Sequence, residues 1–147
     1  MIMRLYIYSL CFLSSFSLFV PLSAHADANN TPGVKSEKLL ESEQSWDGTV
    51  YKSYPEGTPQ LSVLKITISP FTRLAWHEHP APNVGYVLEG VLTVEKKSTG
   101  EKRTLKAGEV LPETVDIAHR GYTGKEGATI LVFYAGKKGL PLSRPAQ

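Results

Sequence analysis

Residues 76–90 read Trp-His-Glu-His-Pro-Ala-Pro-Asn-Val-Gly-Tyr-Val-Leu-Glu-Gly (WHEHPAPNVGYVLEG). Two histidines one residue apart are followed at once by Pro80 and Pro82, so the stretch does not run on as a helix, and a helical His-Glu-x-x-His zinc motif is excluded. On a strand, side chains at i and i+2 share a face with Cα atoms about 7 Å apart. The imidazoles of His77 and His79 can therefore converge on one point, while Glu78 faces the other way and reads as a solvated charge. Val84 to Leu88 follows as a strand, and Glu89-Gly90 reads as a tight turn.

Working outward, the same grammar repeats. Strand-like runs lie at Thr49–Tyr54, at Leu61–Ser69 with an apparent slip near Leu64, and at Arg73–His79, Val84–Leu88, Val91–Lys96, Lys102–Leu105, Glu109–Leu111, Ile117–Tyr122 and Thr129–Tyr134. Between them stand Pro-Glu-Gly-Thr-Pro, His-Pro-Ala-Pro, Ser-Thr-Gly-Glu and Gly-Lys-Glu-Gly, which supply turn chemistry. Many short strands with frequent turns and no long helical period predict an all-β, closed antiparallel sandwich or barrel. A short helix is expected around Ser36–Ser45, and the tail after Lys137 is expected to end the domain.

The remainder sets bounds. The chain has 147 residues, 41% hydrophobic and 20% charged, with a net charge of +2. This length suits one domain, and the scattered lysines and arginines form no basic patch that would argue for nucleic acid. The start reads as an export signal: Met1–Arg4 is a short positive region, Leu5–Leu22 is apolar, and Ala24-His25-Ala26 has the small-x-small form of a cleavage site. The expected order is a signal peptide over 1–26, a polar linker over 27–45, a β-barrel domain over 46–140 and a tail over 141–147. The product is expected to be periplasmic or secreted, with no membrane span after cleavage; an uncleaved anchor is the alternative. Cys11, the single cysteine, lies in the leader, so the mature chain has no thiol or disulfide chemistry.

The mature chain keeps three histidines, His77, His79 and His119. His77-Glu78-His79, the Gly85–Gly90 run, and a second block from Gly108-Glu109-Val110 to His119 together resemble the two motifs of the cupins, small β-barrels of the double-stranded β-helix (jelly-roll) type. The likeness spans about Leu61 to Gly136. It implies that His77, His79 and His119 ligate one divalent transition metal: Zn²⁺, Fe²⁺, Ni²⁺, Cu²⁺ or Mn²⁺. The first motif of these proteins normally adds a glutamate after its second histidine, and here Asn83 stands in that place.

Three imidazoles remain a competent donor set for such ions, with Asn83 offering at most a weak amide oxygen. Glu113, six residues before His119, has the parity to face inward as a general base or as an acceptor for a histidine N–H; a solvated loop acid is the alternative. Tyr86 carries a hydroxyl able to reach the cavity and stands with Glu113 as a candidate catalytic residue, barrel core being the alternative. Trp76, Phe133 and Tyr134 read as core, and Arg73 and Arg120 as surface charges or partners of a carboxylate substrate.

The resemblance implies a metal-dependent enzyme acting on a small molecule, of dioxygenase, isomerase or lyase type. The competing readings are a non-enzymatic small-ligand or metal-binding module and a metal-free structural barrel. A homodimer formed through the residues around Trp46, Val50 and Tyr51 is also compatible with that resemblance.

Overall fold

Every regular element among the described residues is a strand: β1 Pro59–Ile68, β2 His77–Glu78, β3 Asn83–Lys96, β4 Lys102–Lys106, β5 Val110–Pro112, β6 His119–Lys137 and β7 Arg144–Pro145. The computed structural model describes residues 32–146, and Glu37–Gln147 forms one unit. The leader and Cys11 lie outside the described residues. All pairings are antiparallel. The long strands β3 and β6 pair along most of their length, β1 adds to the second half of β6, β4 and β5 flank the two halves of β3, and β2 joins the start of β6 to β7. The expectation of an all-β antiparallel barrel is met.

The core follows strand parity. Val87, Leu92, Val94, Leu105, Leu111, Ala128, Ile130, Val132 and Ile68 are buried together, which removes their apolar surface from water and supplies the main drive to fold. The apparent slip at Leu64 is no bulge, because β1 pairs without a break from Pro59↔Lys137 to Ile68↔Ala128. Leu61 and Val63 simply occupy the outer face, 82% and 56% exposed.

Several expected boundaries are corrected. Glu89-Gly90 does not end a strand; β3 runs through it with register shifts at Val87/Glu89 and Gly90/Leu92. Gly90 permits this bend because its φ is +76° and an added Cβ would lie 2.2 Å from the Gly127 carbonyl oxygen, a backbone-to-backbone approach open only to glycine. Likewise Ile117–Tyr122 and Thr129–Tyr134 belong largely to one strand, β6. Arg73–His79 contracts to β2 plus an isolated Arg73↔Tyr122 bridge.

Ser36–Ser45 forms no helix, and Thr49–Tyr54 contributes one bridge, Gln44↔Val50, rather than a strand. This arm is nonetheless built into the barrel. Ser45 and Trp46 are buried, the Trp46 backbone N–H donates to the Pro112 carbonyl at 2.8 Å, and the fully buried Asp47 carboxylate pairs with Lys96. The Ser45 hydroxyl and the Thr49 N–H also donate to Asp47, at 2.6 and 3.1 Å. Burial alone would raise the Asp47 pKa, but these donors outweigh it and hold the carboxyl below its usual range. The tail also departs from expectation, since it contains β7 and returns to β2.

Candidate metal centre

Position 77 of β2 pairs directly with position 119 of β6, so a two-residue strand suffices to bring the first histidine pair beside the third histidine. The ring centroids lie 5.0 Å apart for His77 and His79, 4.6 Å for His77 and His119, and 5.0 Å for His79 and His119. One nitrogen from each ring falls within 4.8 Å of the others, a grouping that could hold a metal ion. His79 and His119 are buried, and His77 is partly exposed.

Each ring is oriented through Nδ1. That atom lies 2.9 Å from the Ala75 carbonyl oxygen in His77, 2.8 Å from that of Leu142 in His79, and 2.8 Å from that of Ile117 in His119. A carbonyl can only accept, so Nδ1 carries the proton in all three rings and Nε2 presents its lone pair. The Thr114 hydroxyl, fully buried, lies 3.0 Å from the same Nδ1 of His119. Burial lowers the pKa of all three histidines, that of His79 to about 4, which keeps the imidazoles neutral.

Glu113 lies just beyond β5 and faces inward. Its Oε2 is 3.4 Å from His119 Nε2, and its side chain is 12% exposed. Burial pushes its carboxyl up to about 7, partly opposed by His77 and by the Thr114 backbone. The Glu113 N–H donates to the Asn83 carbonyl at 3.0 Å, and the Tyr51 hydroxyl donates to the Glu113 carbonyl at 2.6 Å.

Asn83 is 2% exposed and donates through Nδ2 to the Ala81 carbonyl at 3.2 Å. Its Oδ1, Glu113 Oε2 and His119 Nε2 are all buried without a hydrogen-bond partner. Orphaned buried acceptors are costly; Glu113 Oε2 and His119 Nε2 lie 3.4 Å apart, and a cation at the three histidines would be a partner for both. The residues present thus fit a divalent transition metal held by His77, His79 and His119.

Tyr86 does not join this group. It alternates with Gly85 and Val87, pairs with Leu131 and Val110, and falls on the outer face of β3, opposite to Asn83 and Val87. The tyrosine against the site is Tyr134, whose ring packs edge-on to His79 at 5.6 Å. Burial and the Glu113 charge raise its pKa to about 12. Its signal in the sequence was parity with Ile130 and Val132 on β6.

Arg120 and Arg73 are engaged elsewhere. Arg120 donates twice to Glu95, at 2.9 and 2.8 Å, and lies over Trp76 at 4.0 Å; Arg73 lies 3.7 Å from Glu95 and over Tyr122 at 4.7 Å. Trp76 is thus half-buried beneath a guanidinium rather than in the core. Phe133, also expected in the core, is 47% exposed.

No family model and no curated protein matches this chain. Solved structures do match in shape. A structure of the DMSP lyases RdDddP and RnDddQII aligns at 21% identity over 59% of this chain and 44% of that one, with a TM-score of 0.53. A cupin-like protein from Thermotoga maritima aligns at 19% identity over 58% and 64% of the two chains, with a TM-score of 0.51.

The fold is that of the cupins.

The polyketide cyclase RemF from Streptomyces resistomycificus has the same cupin-like arrangement, at 21% identity over 62% of this chain and 63% of its own, with a TM-score of 0.52. The chain spans less than two thirds of each of these proteins. At such identities the likeness concerns the cupin fold, and a shared fold does not fix a reaction.

Proposed function

We propose that this cupin barrel is a metal-dependent enzyme that holds one divalent transition metal on the Nε2 atoms of His77, His79 and His119 and acts on a small molecule. The observation that carries the reading is the set of three Nδ1–carbonyl hydrogen bonds, which leaves three neutral imidazole donors turned toward one another. Zn²⁺, Fe²⁺, Ni²⁺, Cu²⁺ and Mn²⁺ are the candidates, the softer and intermediate ions suiting imidazole best. Such an ion, when bound, supplies Lewis-acid polarisation of a substrate oxygen.

The protein contributes a base. Glu113 stands next to His119 with Oε2 3.4 Å from Nε2; burial raises its carboxyl to about 7 in the metal-free protein, and a bound cation would favour the carboxylate, the form able to take a proton. Lyases and a cyclase occur among the solved neighbours. We therefore favour a lyase or isomerase reaction begun by proton removal over a dioxygenase reaction. Asn83 in place of a carboxylate favours the second reading, a non-enzymatic module for a metal or small ligand.

The test is solvent-deuterium exchange into candidate 1,3-diketones and hydroxy acids by the metal-loaded protein, with oxygen uptake measured in parallel. Exchange that Glu113→Gln abolishes supports the enzyme. Oxygen uptake without exchange shifts the reaction to the dioxygenase type, and neither signal leaves the binding module.

Export to the periplasm or medium remains a proposal resting on the leader-like residues 1–26. A homodimer is proposed on the outer face of β1 and β6. There Leu61, Val63 and Phe133 are exposed, and Val63 and Phe133 are direct cross-strand neighbours.

A further inference from the structure

The tail has a role that its sequence did not announce. Its Leu142 carbonyl is the acceptor for His79 Nδ1, at 2.8 Å. Two residues on, β7 pairs with the histidine strand, Pro145 opposite His77 and Arg144 opposite Glu78, and the Ala146 N–H donates to the Trp76 carbonyl at 3.1 Å. Arg144 bridges further: Nε donates to Glu78 Oε2 at 3.3 Å, and Nη2 donates to Asp116 Oδ1 at 2.7 Å.

Asp116 belongs to the turn that supports the third histidine. Its φ is +56°, and its N–H donates to the His79 carbonyl at 2.9 Å. In the same turn Thr114 and Ile117 hold His119 through Nδ1. One guanidinium therefore joins β2, which carries His77 and leads directly into His79, to the turn that orients His119.

We propose that the C-terminal segment Leu142–Ala146 is a strap that positions the metal site, with the Leu142 carbonyl fixing the orientation and tautomer of His79 and Arg144 clasping the strap over β2 and the 114–117 turn. This rests on the three-histidine reading above. Without its acceptor the neutral His79 ring divides between two tautomers and turns about its side-chain bonds, so a smaller fraction presents Nε2. Loss of such a supporting partner typically weakens metal binding about 10- to 100-fold. Arg144 is 49% exposed, and ion pairs so open to water add little to stability. Its removal should therefore act on the site far more than on the fold.

The experiment measures Zn²⁺ affinity of the full chain by competition with a chromophoric chelator, together with the metal-free melting temperature. The comparison set is the unaltered protein, Arg144→Ala, Arg144→Lys, His77→Ala and a chain ending at Leu140. Arg144→Ala is expected to bind Zn²⁺ about tenfold more weakly with a melting temperature close to that of the unaltered protein, and Arg144→Lys to recover part of the loss. The shortened chain is expected to lose about a hundredfold.

Unchanged affinity in Arg144→Ala overturns the clasp, whatever its melting temperature. Unchanged affinity in the shortened chain overturns the strap as a whole. If instead the unaltered protein binds no Zn²⁺, or His77→Ala binds it as well, the metal reading itself fails. A Co²⁺-loaded sample adds a spectroscopic check, because a re-oriented His79 alters the visible ligand-field bands of Arg144→Ala while a purely structural role leaves them in place.

Discussion

If the three histidines hold a metal as proposed, Glu113 links its binding to protons. In the metal-free protein its carboxyl has a pKa of about 7, and its Oε2 lies 3.4 Å from a donor nitrogen. A cation on that nitrogen favours the carboxylate, so loading below pH 7 expels one proton. The apparent metal affinity then rises about tenfold between pH 6 and pH 8, the larger part of it below pH 7. The histidines add little to this slope, because burial has already lowered their pKa values and they are neutral over most of the range.

Glu113→Gln removes the titrating group while keeping its shape, so its affinity should be flat from pH 6 to pH 8. Calorimetry in two buffers of different ionisation enthalpy counts the released proton directly: about one at pH 6 for the unaltered protein and about none for the variant. A slope that survives in Glu113→Gln, or release of two or more protons, would refute the reasoning and place the titration on the histidines. Stability of the metal-free protein has a definite sign as well. A carboxyl whose folded pKa is raised loses stability as pH rises from about 4.5 toward 7. At pH 8 the charge of Glu113 costs about 3 kcal/mol relative to its protonated state. Glu113→Gln should therefore raise the metal-free melting temperature at pH 8 and change it little at pH 4.5.

Three other perturbations bear on the scaffold. Gly90→Ala combines a positive φ with a backbone collision at Gly127 and should destabilise by about 3 kcal/mol or more in urea titration; a loss under 1 kcal/mol would contradict the close approach of β3 and β6. Asp47→Asn leaves Lys96, 18% exposed, without its anion and should cost about 3 kcal/mol, with the arm around Trp46 becoming the first site of limited proteolysis. Phe133→Glu puts a charge on the exposed apolar face and should shift a dimer to monomer in sedimentation velocity, whereas an unchanged profile removes that face as the interface.

Much of the fold was legible because alternation is a local property. Lys102–Leu105 and Glu109–Leu111 fall within a residue of observed strands, and Val91–Lys96 coincides with the second half of β3. The misses have local causes of another kind. Glu89-Gly90 and the Gly-Lys-Glu-Gly run carry turn residues, yet in β3 and β6 they serve as bends inside continuous strands, a choice made by the backbone partner across the ladder. In the site, His77, His79 and His119 converge because register pairs position 77 with 119; that the three belong together was implied by the resemblance to the cupins.

Tyr86 and Tyr134 show the limit of the pattern. Both lie on strands, and the face each uses follows from pairing rather than from residue type. The roles of Leu142 and Arg144 were hidden for a further reason. A carbonyl that orients a histidine leaves no mark in the side chain that carries it, and a clasp between residues 78, 116 and 144 is made by topology.

The most direct test of the central claim is the metal content of the purified protein, measured by mass spectrometry of the elements beside His77→Ala and His119→Ala. The three-histidine centre predicts one divalent transition-metal ion per chain in the unaltered protein and loss of that ion in both variants. A protein that takes up no transition metal, or variants that retain it, would contradict the account.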